Sequence, residues 1–220
     1  MTVFDEELRY LKDKLLRMGS LVEEAIKNSV QALVDRDNGL AQRIIANDRV
    51  INTLDVEIDE ESIRLIALRQ PKAGDLRFIT MAMKITTDLE RMGDLAVNIA
   101  ERALELNEEP ILKPYIDIPK MREITQGMTR DALDAFVRRD KKLAMDVIMR
   151  DDEVDDLKHE VLKELAFFMV QDPATVTRAM KISFVATYLE RIADHATNIA
   201  EMVIYLVEGK IIRHMAPPQE

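Results

Sequence analysis

Residues 87–101 and 187–201 of this chain are near copies of one another, and that duplication restricts the fold more than any other feature. The two stretches, Thr87 to Glu101 and Thr187 to Glu201, agree at 10 of 15 positions with an offset of 100 residues. Chance does not give agreement of that density, even between two amphipathic helices. Self-similarity at a fixed spacing marks a repeated structural unit. Upstream the match continues at an offset of 103, where Asp37, Leu40 and Ala41 answer to Asp140, Leu143 and Ala144. Asp48, Ile51, Leu54 and Glu57 likewise answer to Asp151, Val154, Leu157 and Glu160, and Pro71 to Pro173. The change of offset places a small deletion around the second hairpin of the later copy.

Each copy reads as helical. The 220 residues are 47% hydrophobic and 33% charged, with no Trp, no Cys and only 6 Gly. Those proportions supply a core and a solvated surface and exclude disorder throughout. Helix formers dominate, and the aromatic and turn residues of β proteins are scarce. Pro and Gly break the chain at Pro71/Gly74, at Pro110, Pro114 and Pro119, and at Pro173, with weaker breaks at Asp37-Asn38-Gly39 and Arg138-Arg139-Asp140. Six long helical segments remain, at about 4–36, 40–69, 75–107, 118–138, 141–171 and 174–208. Apolar residues recur within them at helical spacing, as in Ile51, Leu54, Ile58 and Leu65. Short connections make neighbouring helices antiparallel. The expectation is therefore all-α: two tandem up-down-up three-helix bundles, at 1–109 and 117–210, with a tail at 211–220. Two bundles this slender could also share an interface and form one domain.

Several functions are set aside on composition. Without cysteine there is no disulfide framework, thiolate metal site or cysteine catalysis. The formal net charge of -10, with Lys and Arg scattered among acids, argues against a nucleic-acid grip. Neither a signal peptide nor a membrane-length apolar run is visible, so a cytoplasmic location is expected. No phosphate-cradling glycine loop and no nucleophile–base set is present, so the chain is not expected to be an enzyme.

The third helix of each copy carries the candidate site. On a helical wheel Glu90, Asp94, Asn98 and Glu101 share one face, with Ile85, Met92, Ala96, Ile99 and Ala103 opposite. Glu190, Asp194, Asn198 and Glu201 repeat the ridge. Carboxylates at i and i+4 repel by roughly 0.2–0.5 kcal/mol on an isolated helix. Their retention in both copies, while Asp88/Tyr188 and Val97/Thr197 diverge, implies that something compensates. Oxygen-only donors suit a hard cation such as Mg²⁺, Mn²⁺ or iron, singly or as a cluster, and zinc, which prefers His or thiolate, less well. The second helix offers Asp48, Asn52, Asp55 and Asp59 on one face; Asp151 and Asp155 answer to the first two, and Lys158 and Leu162 replace the others. If that face borders the ridge, acids of two helices form one site.

A plainer account is open beside this one. An acidic face is usually solvated surface, and Arg91 and Arg191 could pair with Asp94 and Asp194 at i+3. His195, whose counterpart is Leu95, is expected at the edge of the core. His159 lies in Asp156-x-x-His159, half of a di-iron motif that requires Glu-x-x-His on two helices, and His214 lies in the tail. A ferritin-like di-iron enzyme or iron store is therefore the alternative reading, and a metal-free helical adaptor is a third. Met81, Met83 and Met180 are expected in the core, and Gly93 and Ala193 at close helix approaches.

Leu89-Glu90-Arg91-Met92-Gly93-Asp94-Leu95-Ala96-Val97-Asn98-Ile99-Ala100 resembles the signature of the PhoU family, and residues 189–200 resemble it again. Pro71 to Arg77 resembles the stretch that precedes the first signature, and Phe4-Asp5-Glu6-Glu7-Leu8 the family's usual opening. The later copy has Thr175-Val176-Thr177-Arg178 in place of the Asp75-Leu76-Arg77 stretch. The resemblance covers nearly the whole chain. It implies two three-helix bundles with metal ions or clusters at the acidic motifs, chiefly on Glu90, Asp94, Glu190 and Asp194. It further implies a cytoplasmic negative regulator that couples the ATPase subunit of the phosphate ABC importer to the sensor histidine kinase of the phosphate regulon, commonly as a homodimer.

Overall fold

The first helix is nucleated by a reciprocal cap. In the computed structural model, which describes residues 2–208, the Thr2 side chain accepts from the Asp5 amide while the Asp5 carboxylate accepts from the Thr2 amide at 2.7 Å. Helix α1 then runs over Val3–Val34 and α2 over Asn38–Arg69. Between them Arg36 adopts the left-handed conformation at φ 56°, and Asp37 caps α2 by accepting from Leu40 N at 2.9 Å. The second copy uses the same device: Arg139 has φ 55°, and Asp140 accepts from Leu143 N at 3.1 Å. This turn joins α4, Asp117–Arg138, to α5, Lys141–Gln171. The duplication therefore extends to backbone conformation.

α2 ends at Gln70, in the left-handed region just before Pro71, and α3 occupies Ala73–Asn107. The later copy departs here, because Pro173–Thr175 forms a 3₁₀ turn before α6, Val176–Glu208. That turn is pinned by Asp172, which accepts from Ala174 N. The tail at 211–220, with His214, and the end of the expected second repeat lie outside the described residues. No strand occurs among the described residues.

α1, α2 and α3 pack together, as do α4, α5 and α6, and the two trios share a seam where α3 meets α6 and α1 meets α4. α2 and α5 are left on the outside, each against its own trio. One hydrophobic core is continuous across the seam. α1 supplies Leu11, Leu15, Met18, Val22 and Ile26, all fully buried at helical spacing. Phe78 and Phe136 stack across the repeats with ring centroids 4.8 Å apart. Gly19 makes room for α4 against α1, since a Cβ there would stand 2.1 Å from Leu133 Cδ1. Met81 is buried and Met83 partly so, but Met180 is exposed, contrary to expectation, because it faces outward from the first turns of α6. The segment between the repeats is tied down by side chains from both. Arg36 donates to the carbonyls of Asn107 and Glu109, Arg178 to Pro110 O at 3.0 Å, and Lys181 pairs with Glu109 at 2.9 Å.

Candidate metal centre

Both acidic ridges lie where an outer helix meets a seam helix, α2 on α3 and α5 on α6. The buried faces of α3 and α6 hold the ridges in place: Ile85, Met92, Ala96, Ile99 and Ala103 are buried, as are Ile192, Ala196 and Ile199. Glu90 and Glu190 are half-buried, and Asp94 and Asp194 are exposed. In the first repeat the α2 face does border the ridge. Burial raises the Glu90 carboxyl above its ordinary value, and the charges of Asp94, Asp55 and Asp48 push it further the same way. Asp48 is raised by burial and by Asp94, and Asp55 by burial and by Asp59. Asn52 donates to Asp48 Oδ2 at 2.8 Å, but Asp48 Oδ1 is buried with no hydrogen-bond partner. Gly93 permits this approach, since a Cβ there would lie 3.2 Å from Ile51 Cδ1 and 3.6 Å from Asp48 Oδ1. A cleft of about 440 Å³ opens beside it, bordered by Asn28, Arg43, Asn47 and Asp48.

The second repeat keeps the plan with one change of charge. Asp151 is pushed up to about 6 by burial and by the charges of Asp194, Asp155 and Asp152. The Thr197 hydroxyl acts weakly in the opposite direction, although its Oγ1 is buried without a hydrogen bond of good geometry. Asp194 is raised by burial, by Glu190 and by Asp155, against the lowering effect of His195 and Lys158. Lys158 Nζ reaches Glu190 at 2.8 Å and forms an ion pair. Neither Arg91 with Asp94 nor Arg191 with Asp194 forms the i, i+3 pair considered from the sequence; Arg91 and Arg191 stay exposed.

Asn98, Glu101, Asn198 and Glu201 continue the ridges. Glu101 lies three turns beyond Glu90, roughly 16 Å along the axis, so one ion cannot bridge the full row. The structure therefore groups Asp48, Asp55, Glu90 and Asp94, and in the second repeat Asp151, Asp155, Glu190 and Asp194, leaving the other four apart. Among the described residues, no three His, Cys, Asp or Glu side chains stand close enough to hold an ion. The upward pKa directions come first from burial and second from the neighbouring carboxylates. The donors of both clusters are oxygen only, the kind a hard cation takes, but they stand too far apart here to share one ion, and in the second repeat the Lys158 ammonium already neutralises part of the charge.

His195, expected at the edge of the core, sits in the seam. It is buried, and its Nδ1 lies 2.8 Å from Asp88 Oδ1 on the opposite seam helix. The sequence held a signal for this pair, because both partners break the duplication: Asp88 answers to Tyr188 and Leu95 to His195. His159 is exposed on α5 with no second Glu-x-x-His helix to complete a di-iron site.

The helices of the described residues, in two equivalent trios with an acid ridge on each seam helix, define a duplicated all-helical protein. Comparison with known proteins makes this specific. A model of the PhoU domain matches residues 15–103 and 118–203, one match in each trio. The phosphate-specific transport system accessory protein PhoU homolog of Aquifex aeolicus is 49% identical over 95% of both chains, and that of Pseudomonas aeruginosa 44% identical over 96% of this chain and 88% of that one. The crystal structure of PhoU from Pseudomonas aeruginosa superposes with a TM-score of 0.90 at 44% identity, covering 94% of this chain and all of the other. The phosphate transport system regulatory protein PhoU from Streptococcus pneumoniae gives 0.87 at 31% identity, covering 94% of this chain and 98% of that one. The chain belongs to the PhoU family. These relatives are named as accessory or regulatory proteins and not as enzymes, which removes the ferritin-like enzyme reading. No helix among the described residues is long and apolar enough to cross a membrane.

Proposed function

We propose that this chain is an accessory protein of a phosphate-specific transport system and a negative regulator of phosphate uptake. In this reading it acts in the cytoplasm as a helical adaptor, commonly as a homodimer. It couples the ATPase subunit of the phosphate ABC importer to the sensor histidine kinase of the phosphate regulon and holds the response down when phosphate is plentiful. Full-length relatedness to proteins named for this transport system carries the proposal.

The acidic ridges are the proposed working surface. Glu90 and Asp94 with Asp48, and Glu190 and Asp194 with Asp151, would hold a hard cation such as iron, Mn²⁺ or Mg²⁺, as one ion or a cluster, through oxygen alone. Asn98, Glu101, Asn198 and Glu201 would extend the charged surface along each helix. A cation held there would neutralise the clustered carboxylates. The chain's own part is to keep the ridges rigid, aimed outward and anchored on the two seam helices, so that a charge change on either ridge acts on the contact between repeats.

Deleting the chain in its host should raise phosphate uptake and switch on a phosphate-regulon reporter in phosphate-rich medium. An unchanged reporter and unchanged uptake would overturn the regulatory reading. A variant carrying Glu90→Gln, Asp94→Asn, Glu190→Gln and Asp194→Asn should keep its helicity, lose bound metal on elemental analysis and fail to restore repression. The parted carboxylates favour one second reading, a metal-free acid ridge that docks a basic partner surface. Salt-sensitive partner binding that survives a chelator would establish that reading instead.

A further inference from the structure

The duplication supplies an internal comparison for the cleft between α1 and α2. At the offset of 103 residues its polar rim, Glu24, Asn28, Arg43 and Asn47, answers to Gly127, Asp131, Asp146 and Arg150, and its wall residue Ala25 to Met128. The register holds in the structure, since Val22, Ser29 and Val30 are buried as Thr125, Ala132 and Leu133 are. In the second repeat this place is filled from within. Arg150 reaches from α5 to Asp131 Oδ2 on α4 at 2.7 Å and to Asp146 Oδ2 at 3.2 Å, and the Arg150 and Asp131 side chains are only 25% and 24% exposed. Its Nη1 lies over Gly127, 3.5 Å from where a Cβ would stand, and the neighbouring Met128 is fully buried. The first repeat lacks both fillers: a shorter, uncharged Asn47 replaces the arginine, Ala25 replaces the methionine, and a cleft of about 440 Å³ stands open. We propose that this cleft binds an arginine side chain presented by a partner protein, its guanidinium taking the place that Arg150 occupies in the second repeat.

The lining suits that occupant. Asn28 and Asn47 offer carboxamide oxygens from two helices, and Glu24 brings a carboxylate to the position where Gly127 meets the guanidinium in the other repeat. Leu21, Ala25 and Ile44 give an apolar wall for the aliphatic stem. Glu24 and Asp48 set two carboxylates in the lining against one guanidinium, that of Arg43. Arg43 is drawn back over the start of α2, its Nη1 3.5 Å from where a Gly39 Cβ would stand, which leaves the Asn47 end clear. Lysine fits less well, because a point charge cannot bridge acceptors on two helices as a planar fork does. The cleft has more room than one side chain needs, and Glu24, Arg43 and Asn47 are exposed at its rim, so the guanidinium arrives on a chain that covers the mouth. The site shares only Asp48 with the carboxylate clusters and does not depend on a bound cation.

The test is a nuclear magnetic resonance titration of full-length protein, with the backbone amides of Leu21, Ala25, Ile44 and Asp48 as reporters. The probes are blocked Ala-Arg-Ala, the same peptide with lysine or citrulline at its centre, and free arginine. The arginine peptide should shift these amides saturably, the lysine peptide should bind about tenfold more weakly, and the citrulline peptide should leave them unmoved. Asn28→Asp with Asn47→Arg, which rebuilds the filled pair of the second repeat in the first, should abolish the response. Glu24→Gln, an exposed change that leaves helicity and thermal unfolding as in wild type, should weaken it and guards against a misfolded double variant. Equal binding of the arginine and lysine peptides, a response that survives in the folded double variant, or no response to any probe overturns the site. Free arginine binding as tightly as the peptide would mark a small-molecule site and overturn the assignment to a partner protein.

Discussion

Asp151 shows what the ridge costs the folded protein. Its carboxyl titrates at about 6, against 3.8 for an ordinary Asp, because it is half-buried and faces other carboxylates. Folding thus favours the protonated form. The contribution to stability is complete below about pH 3.8 and is lost as pH rises through about 6. Glu7 behaves oppositely: hydrogen bonds and charge from Arg69 and Arg64 hold it down to about 2, so its contribution is lost as pH falls from 4.5 towards 2, equally in wild type and in an Asp151 variant. In metal-free protein, Asp151→Asn should remain folded and gain stability relative to wild type across pH 4 to 6, by on the order of 1–3 kcal/mol. Urea unfolding of both proteins at pH 4 and pH 7 reads the difference directly. A gap that does not change with pH would mean that Asp151 is not strained by its neighbours.

Among the elements, the paired turns test how far the two copies are equivalent. Arg36 and Arg139 both occupy the left-handed region, where a side chain carries a steric penalty that glycine avoids. Arg139 is exposed, while Arg36 is tied to the carbonyls of Asn107 and Glu109. Arg139→Gly should therefore stabilise the protein by about 0.5–1 kcal/mol after glycine's entropy cost is deducted. Arg36→Gly should destabilise, because two hydrogen bonds to the linker segment, each contributing about 1 kcal/mol net, are lost with it. Thermal unfolding separates the two by sign. The turns also mark what the sequence conveyed. The weaker breaks around Asp37 and Asp140, the Pro breaks and the helical periodicity placed the six helices to within a few residues, because those signals are local. The left-handed arginines carried no such mark, since Arg has no preference for that conformation. The alternation of outer and seam helices was equally hidden: α2 and α5 also carry apolar residues at helical spacing, and only packing shows which trio faces touch. The ridge residues could be read because they repeat. Their relation to the α2 face could be stated only conditionally, since wheel geometry gives a direction within one helix and not its neighbour.

Across the whole molecule, the seam between α3 and α6 is where the copies stop being interchangeable. The duplication maps the Asp88–His195 pair onto Tyr188 and Leu95, so a buried polar pair stands where the other half of the seam carries a tyrosine and a leucine. Asp88 and His195 are each 9% exposed, and Leu95 is 5% exposed. Tyr188 packs partly buried against the core and stacks on Phe184 at 6.3 Å. A buried polar pair gains little net stability, but losing one partner leaves the other's desolvation uncompensated. Asp88→Leu or His195→Leu alone should each cost about 1–3 kcal/mol by chemical denaturation. The double variant Asp88→Tyr with His195→Leu, which copies the other half of the seam onto the polar pair, should recover most of that loss. A double variant no better than the sum of its parts would show that this site cannot accept the other half's packing. Recovery would mean instead that the polar pair is not required for stability. It would then serve to fix the register of α3 on α6, and so the relative placement of the two acidic ridges those helices carry.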